Sequence, residues 1–184
     1  MRRTLLLLAT MAFVLIVAGG VALAASIIYC PGGEDCFGTP GDDRIEGSDG
    51  DDIHIFGSGG SDIIDANGGS EHVVGDHLTD RSLDGDDKLD GGPDPDRIYG
   101  FGGSDTLIGG QGEDYIDAQS YETSGASNTI RGGSENDQID ANNGVYDRID
   151  CGTGSDTVTV DLNDLDKVAK NCERVDPLPA PTSG

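Results

Sequence analysis

A nine-residue period constrains this chain more than any other feature, because a segment that short can form one strand and one turn and nothing larger. Three consecutive blocks show it: GGPDPDRIY at 91–99, GFGGSDTLI at 100–108 and GGQGEDYID at 109–117. Each opens on Gly, carries Asp sixth and has an aliphatic residue eighth. The same frame fits 38–46, 47–55, 57–65, 82–90, 132–140 and 151–159, with weaker copies at 66–74, 123–131 and, with ten residues, 141–150. Of these twelve copies ten carry Asp at the sixth position, and Glu71 and Asn128 stand in the other two. The eighth position is aliphatic in eleven, His54 being the exception. Self-similarity at a fixed period marks a repeat architecture.

The period has a direct physical reading. A Gly-rich run of six residues tolerates tight turns and positive φ, but makes neither helix nor regular strand. The last three residues, such as Arg97-Ile98-Tyr99, can form a strand of about 10 Å, with Ile98 on one face and its neighbours on the other. Strands this short must stack to persist. Turn, strand, turn, strand takes eighteen residues, so the period predicts coils that pile into two parallel sheets. The aliphatic row between them comprises Ile45, Ile64, Val73, Leu89, Ile98, Leu107, Ile116, Ile130, Ile139, Ile149 and Val158. Twelve copies make six coils, a stack roughly 29 Å long at about 4.8 Å per coil. Three places depart from the frame: Phe56 is one residue too many, 75–81 inserts seven and 118–122 inserts five. Each must bulge or break the stack. His54 at a core position implies a buried histidine, or that Ile53 and Ile55 face inward instead. Asp94, Ala126 and Glu135 replace Gly at the fourth position and alter those turns.

One aliphatic side chain per nine residues is a thin core, and the composition adds a penalty. The chain has 35 Asp and Glu against 11 Lys and Arg, a net charge of -24, with 30 Gly and no Trp. That balance excludes a nucleic-acid binder, which needs a basic face. It would suit a disordered chain, were the Gly, Asp and aliphatic residues not in register. A stabilising term is missing, and the turn acids supply it. Calcium takes 6–8 oxygen ligands in flexible geometry, whereas magnesium demands a small rigid octahedron and zinc prefers nitrogen and sulfur. The predicted metal-binding residues are Asp43, Asp52, Asp62, Asp87, Asp96, Asp105, Asp114, Asp137, Asp147 and Asp156. Turns on one edge come from every second repeat. The expected partners across a coil are therefore Asp43 with Asp62, Asp87 with Asp105, Asp96 with Asp114, and Asp137 with Asp156. Asp52 with Glu71 and Asn128 with Asp147 form weaker pairs.

The frame resembles the nonapeptide G-G-x-G-x-D-x-U-x of RTX (haemolysin-type) calcium-binding repeats. The resemblance covers 38–159 and implies an all-β fold, a right-handed parallel β-roll or β-solenoid, with Ca2+ in the turns. The final stretch from Asp147 to Val175 looks like the terminus of secreted actinobacterial members of that family.

Outside the repeats, Arg2 and Arg3 precede an apolar run and then Ala22-Leu23-Ala24. This pattern predicts a secretory signal over 1–24, cleaved after Ala24 or Ala25; an uncleaved membrane anchor is the alternative. Four cysteines behind a signal favour disulfides. Three pairings are possible, and Cys30–Cys36 with Cys151–Cys172 is expected because both close short loops at the ends of the repeats. Residues 25–37 are expected to cap one end and 160–176 the other, with a short polar helix over 164–171; 177–184 reads as a disordered tail. No H-E-x-x-H zinc motif or G-x-S-x-G elbow occurs, so no enzyme is expected. His72 and His77 flank an insertion where a second metal could be imagined, though they read as surface residues. The expected function is a secreted calcium-binding protein that folds on binding Ca2+ outside the cell. The alternative is a cell-surface adhesin or envelope-associated binding protein. Calcium ions are the expected partner, with a possible cell-envelope or extracellular partner, no nucleic acid, and no membrane after cleavage.

Overall fold

The computed structural model describes residues 26–76, 83–119, 126–162 and 166–179. The expected signal segment and His77 lie outside these residues. In chain order the strands are β1 (Ser26–Tyr29), β2 (Cys36–Phe37), β3 (Asp43–Glu46), β4 (Ile55–Ser58), β5 (Ile63–Asp65), β6 (His72–Asp76), β7 (Lys88–Gly92) and β8 (Arg97–Tyr99). They continue as β9 (Thr106–Gln111), β10 (Tyr115–Asp117), β11 (Thr129–Ser134), β12 (Gln138–Ala141), β13 (Arg148–Thr153), β14 (Thr157–Asp161), β15 (Lys167–Val168) and β16 (Arg174–Leu178). Odd-numbered strands form one eight-stranded sheet and even-numbered strands the other, each in unbroken order. The strand pairings among the described residues are parallel, and each strand lies beside the strand two further along the chain. The molecule is a β-solenoid, as the period predicts.

The eighth-position residues sit where alternation puts them. In the odd sheet Ile45 pairs with Ile64, Ile64 with Leu89, Leu89 with Leu107, and Ile130 with Leu107 and Ile149. In the even sheet the row is Cys36, Ile55, Val73, Ile98, Ile116, Ile139 and Val158. Their side chains are almost wholly buried and form one continuous core cluster. Ile55 takes the place that the sequence frame gave to His54. Ile53 does not join it and is 54% exposed. The extra residue is absorbed before β4, and the His54 ring turns outward to Asp35, Nδ1 to Oδ1 at 2.8 Å.

The stack is longer than the twelve copies implied. β1 and β2 fall in 25–37, and β15 and β16 in 160–178, and all four pair with their neighbouring coils in the same two sheets. The short helix expected over 164–171 is corrected: β15 occupies Lys167–Val168, and no α-helix occurs among the described residues. Pro177 and Leu178 pair with Val160 and Asp161 of β14, so order runs into the segment read as a disordered tail. The glycine frame is lost there, but backbone pairing needs only an extended segment of the right length. Disulfides join Cys30 to Cys36 and Cys151 to Cys172, the two end-closing pairs, with Cα separations of 5.6 and 5.2 Å.

Both insertions leave the roll continuous. β6 pairs with β4 and β8, and β7 with β5 and β9, on either side of the first insertion. Across the second, β10 pairs with β8 and β12, and β11 with β9 and β13. Added chain length between two paired strands costs little.

Candidate metal centre

Each nonapeptide turn delivers its sixth residue to the edge of the stack, where two continuous ladders form. On one edge the Asp43 N–H donates to Asp62 Oδ1 at 2.8 Å, Asp62 N–H to Asp87 Oδ1 at 2.8 Å and Asp87 N–H to Asp105 Oδ1 at 3.0 Å. The series continues from Asp105 to Asn128, Asn128 to Asp147 and Asp147 to Asp166. On the other edge it runs from Asp52 to Glu71, then Asp96, Asp114, Asp137, Asp156 and Glu173. Every pair expected from the eighteen-residue coil is therefore a neighbouring pair, and all ten predicted acids lie on these ladders. Asp166 and Glu173 extend them and were missed, because no glycines precede them. The signal that could have found them is the aliphatic residue two places on, Val168 and Val175.

One carboxylate oxygen takes the ladder hydrogen bond; the other curls back over the first glycine of its own turn. A Cβ built on Gly91, Gly109 or Gly132 would collide with Oδ2 of Asp96, Asp114 or Asp137 respectively. The glycine is required there because the acid fills the space a side chain would take. In Asp62, Asp87, Asp96, Asp105, Asp114, Asp137 and Asp156 that Oδ2 is buried without a hydrogen-bond partner, as is Oδ1 of Asp52. Buried polar atoms are nearly always partnered, so a column of orphans calls for an explanation. Asp43 and Asp147 differ. Thr39 donates to Asp43 Oδ2 through its backbone N–H and hydroxyl, and the Asn143 amide donates to Asp147 Oδ2 at 2.9 Å.

Burial pushes Asp62, Asp87, Asp96, Asp105, Asp114, Asp137 and Asp147 upward. Desolvation is the largest cause in each case, and it raises Asp114 to about 6, Asp62, Asp137 and Asp147 to about 7, Asp96 and Asp105 to about 8, and Asp87 to about 10. Neighbouring carboxylates add to the rise. No basic side chain offsets it: the ion pairs among the described residues are Arg44–Glu46, His54–Asp35 and Arg174–Asp176, all away from the ladders.

The donor set is oxygen only. All four cysteines are in disulfides, and the His54–His72 pair sits on the outer face of the even sheet, stacked with Phe56 and Tyr99. Unpartnered carboxylate oxygens, flanked by turn carbonyls and without nitrogen or sulfur, suit a hard cation such as calcium. Bound there, Ca2+ would supply positive charge and occupy lone pairs that the protein leaves unmet.

Four matches to a family model described as the RTX calcium-binding nonapeptide repeat fall on residues 37–70, 54–76, 82–116 and 122–158, more than half of the chain. The chain belongs to this family. RTX nonapeptide repeats bind Ca2+, which agrees with the oxygen-only donor set of the ladders. RTX repeats are structural rather than catalytic and are typically extracellular, and two disulfides fit an oxidising space. No curated protein and no solved structure matches the chain.

Proposed function

We propose that this RTX protein is secreted and folds when it meets Ca2+ outside the cell, with a structural or interaction role. The ligands in this reading are Asp52, Asp62, Asp87, Asp96, Asp105, Asp114, Asp137 and Asp156, with Asp43 and Asp147 at turns where protein donors already meet part of the demand. The observation that carries it is the column of buried carboxylate oxygens with no partner. Binding coupled to folding follows, because the two half-sites of a coil pair exist only once the turns have stacked. The test is far-UV circular dichroism of the oxidised protein after chelation, titrated first with Ca2+ and then with Mg2+. The expected result is a coil-to-β transition with Ca2+ that Mg2+ does not reproduce. A spectrum indifferent to Ca2+ would sink the proposal.

A second reading, an adhesin or envelope-associated binding protein, draws on the outer face of the even sheet. Phe37 stacks on Phe56 with ring centroids 5.1 Å apart, and His72, Tyr99 and Tyr115 continue the aromatic line at 4.8 and 5.9 Å. Phe37 is 59% exposed, and contiguous exposed apolar surface marks interaction sites. Under this reading calcium-loaded protein is retained on purified cell envelopes, and Phe37→Ser with Tyr115→Ser releases it. Equal retention of the variant would count against it.

A further inference from the structure

The strand that leads into the first insertion ends on an acid that the repeat does not call for. β6 continues one residue past Gly75, and that residue is Asp76. On the coil before it the equivalent position, paired with Asp76 in the sheet, is Ser58. One coil after it, the residue following the first glycine is Phe101. Asp76 is 1% exposed. Its Oδ2 accepts the Gly85 N–H at 3.1 Å, which ties the end of β6 to the residues before β7. Its Oδ1 is buried and unpartnered. Directly beside it, a Cβ on Gly75 would collide with Asp87 Oδ2, itself buried and unpartnered. Two neighbouring acids from different parts of the chain therefore each carry a buried, unpartnered oxygen.

Further acids surround the Asp76–Asp87 pair. Asp62, Asp84 and Asp86 act on Asp76, and Asp62, Asp76 and Asp105 act on Asp87, with no Lys or Arg among the interacting charges. At Asp114, by contrast, the one acid acting is Glu135. Calcium affinity rises with the number of ligand charges and with the rigidity of the site. We propose that Asp76 is an additional Ca2+ ligand outside the nonapeptide register, and that the site it shares with Asp87 is the tightest and the first to fill. This rests on the reading that the ladders hold calcium. It assigns Asp76 a role that its position in the repeat would not suggest.

The experiment is Ca2+ titration of the whole oxidised protein in competition with a chromophoric chelator, run downward from the fully loaded state so that each variant starts folded. Asp76→Asn keeps the shape and an acceptor for Gly85; Asp76→Ser restores the residue of the preceding coil. The expected result for both is that the tightest step weakens about tenfold or more, while the weaker steps stay within a factor of about two. A tightest step unchanged in both variants overturns this inference and leaves the calcium reading standing. Absence of Ca2+ uptake by the wild-type protein overturns both. A uniform weakening of every step in both variants also overturns the inference, because it assigns Asp76 to general folding rather than to one site.

Discussion

Chelated at pH 8, the oxidised protein is expected to lose its β-signal and to regain it when the pH is lowered to 5 with no metal added. The sign follows from the ladders. Asp62, Asp76, Asp137 and Asp147 are held near 7, Asp96 and Asp105 near 8 and Asp87 near 10, all from an ordinary value of 3.8. Their folded-state values are raised, so the native state keeps protons that the unfolded chain gives up. The associated stability is fully present below pH 3.8, falls as pH rises through the interval between 3.8 and about 7, and is lost above the folded values. Each such group adds to the slope, so the loss is far larger at pH 8 than at pH 5. Above pH 7 a cation must do what the protons did, so Ca2+ and H+ compete for the same oxygens and the calcium midpoint rises as pH falls. A pH of 5 keeps the protein above its isoelectric point of about 4.1, where association would confuse the result. Circular dichroism from pH 5 to 8.5 with and without chelator is the measurement. An unchanging β-spectrum in chelator would mean that the ladder acids ionise in place without cost.

Gly133→Ala is expected to destabilise the calcium-loaded protein by about 4 kcal/mol or more, enough to break the stack at that coil. Gly133 has φ +128°, where L side chains are strongly disfavoured, and a Cβ there would strike the carbonyl of Gly110 in the preceding coil. The obstacle is backbone and has no side-chain end that could swing away. The same contact recurs from Gly92 through Gly110 and Gly133 to Gly152, each against the carbonyl one coil back, forming a column that sets how closely the coils approach. The control is Gly33→Ala. Gly33 also has positive φ, at +73°, but nothing lies within 4 Å of its Cβ position. It should cost only the about 1–2 kcal/mol of left-handed backbone. Chemical denaturation in saturating Ca2+ compares the two. Equal, small effects would show that the column does not determine the spacing.

Much of this architecture follows from one period. The alternation around Ile98 and Ile116 decides which face is buried, and eighteen residues per coil decide that Asp96 neighbours Asp114 and Asp87 neighbours Asp105. These are consequences of local geometry repeated, and the sequence by itself determined them: a strand of three residues, a turn of six, and the side of each on which the aliphatic and acidic groups fall. Other features depended on which segments meet. Ile55 rather than His54 or Ile53 enters the core because its neighbours in the sheet are Cys36 and Val73. β1, β2, β15 and β16 join the sheets without a glycine frame because a stack edge offers unpaired backbone groups to any extended segment that reaches it. The environment of each acid was also decided in the tertiary structure. Thr39 and Asn143 satisfy Asp43 and Asp147, while identical frames leave Asp105 and Asp137 with an orphan oxygen. Asp76, unremarkable in the sequence, becomes a buried carboxylate against Asp87. A nonapeptide fixes where its own oxygens point; what meets them arrives from a coil 18 to 25 residues away, and only stacking brings that coil into place.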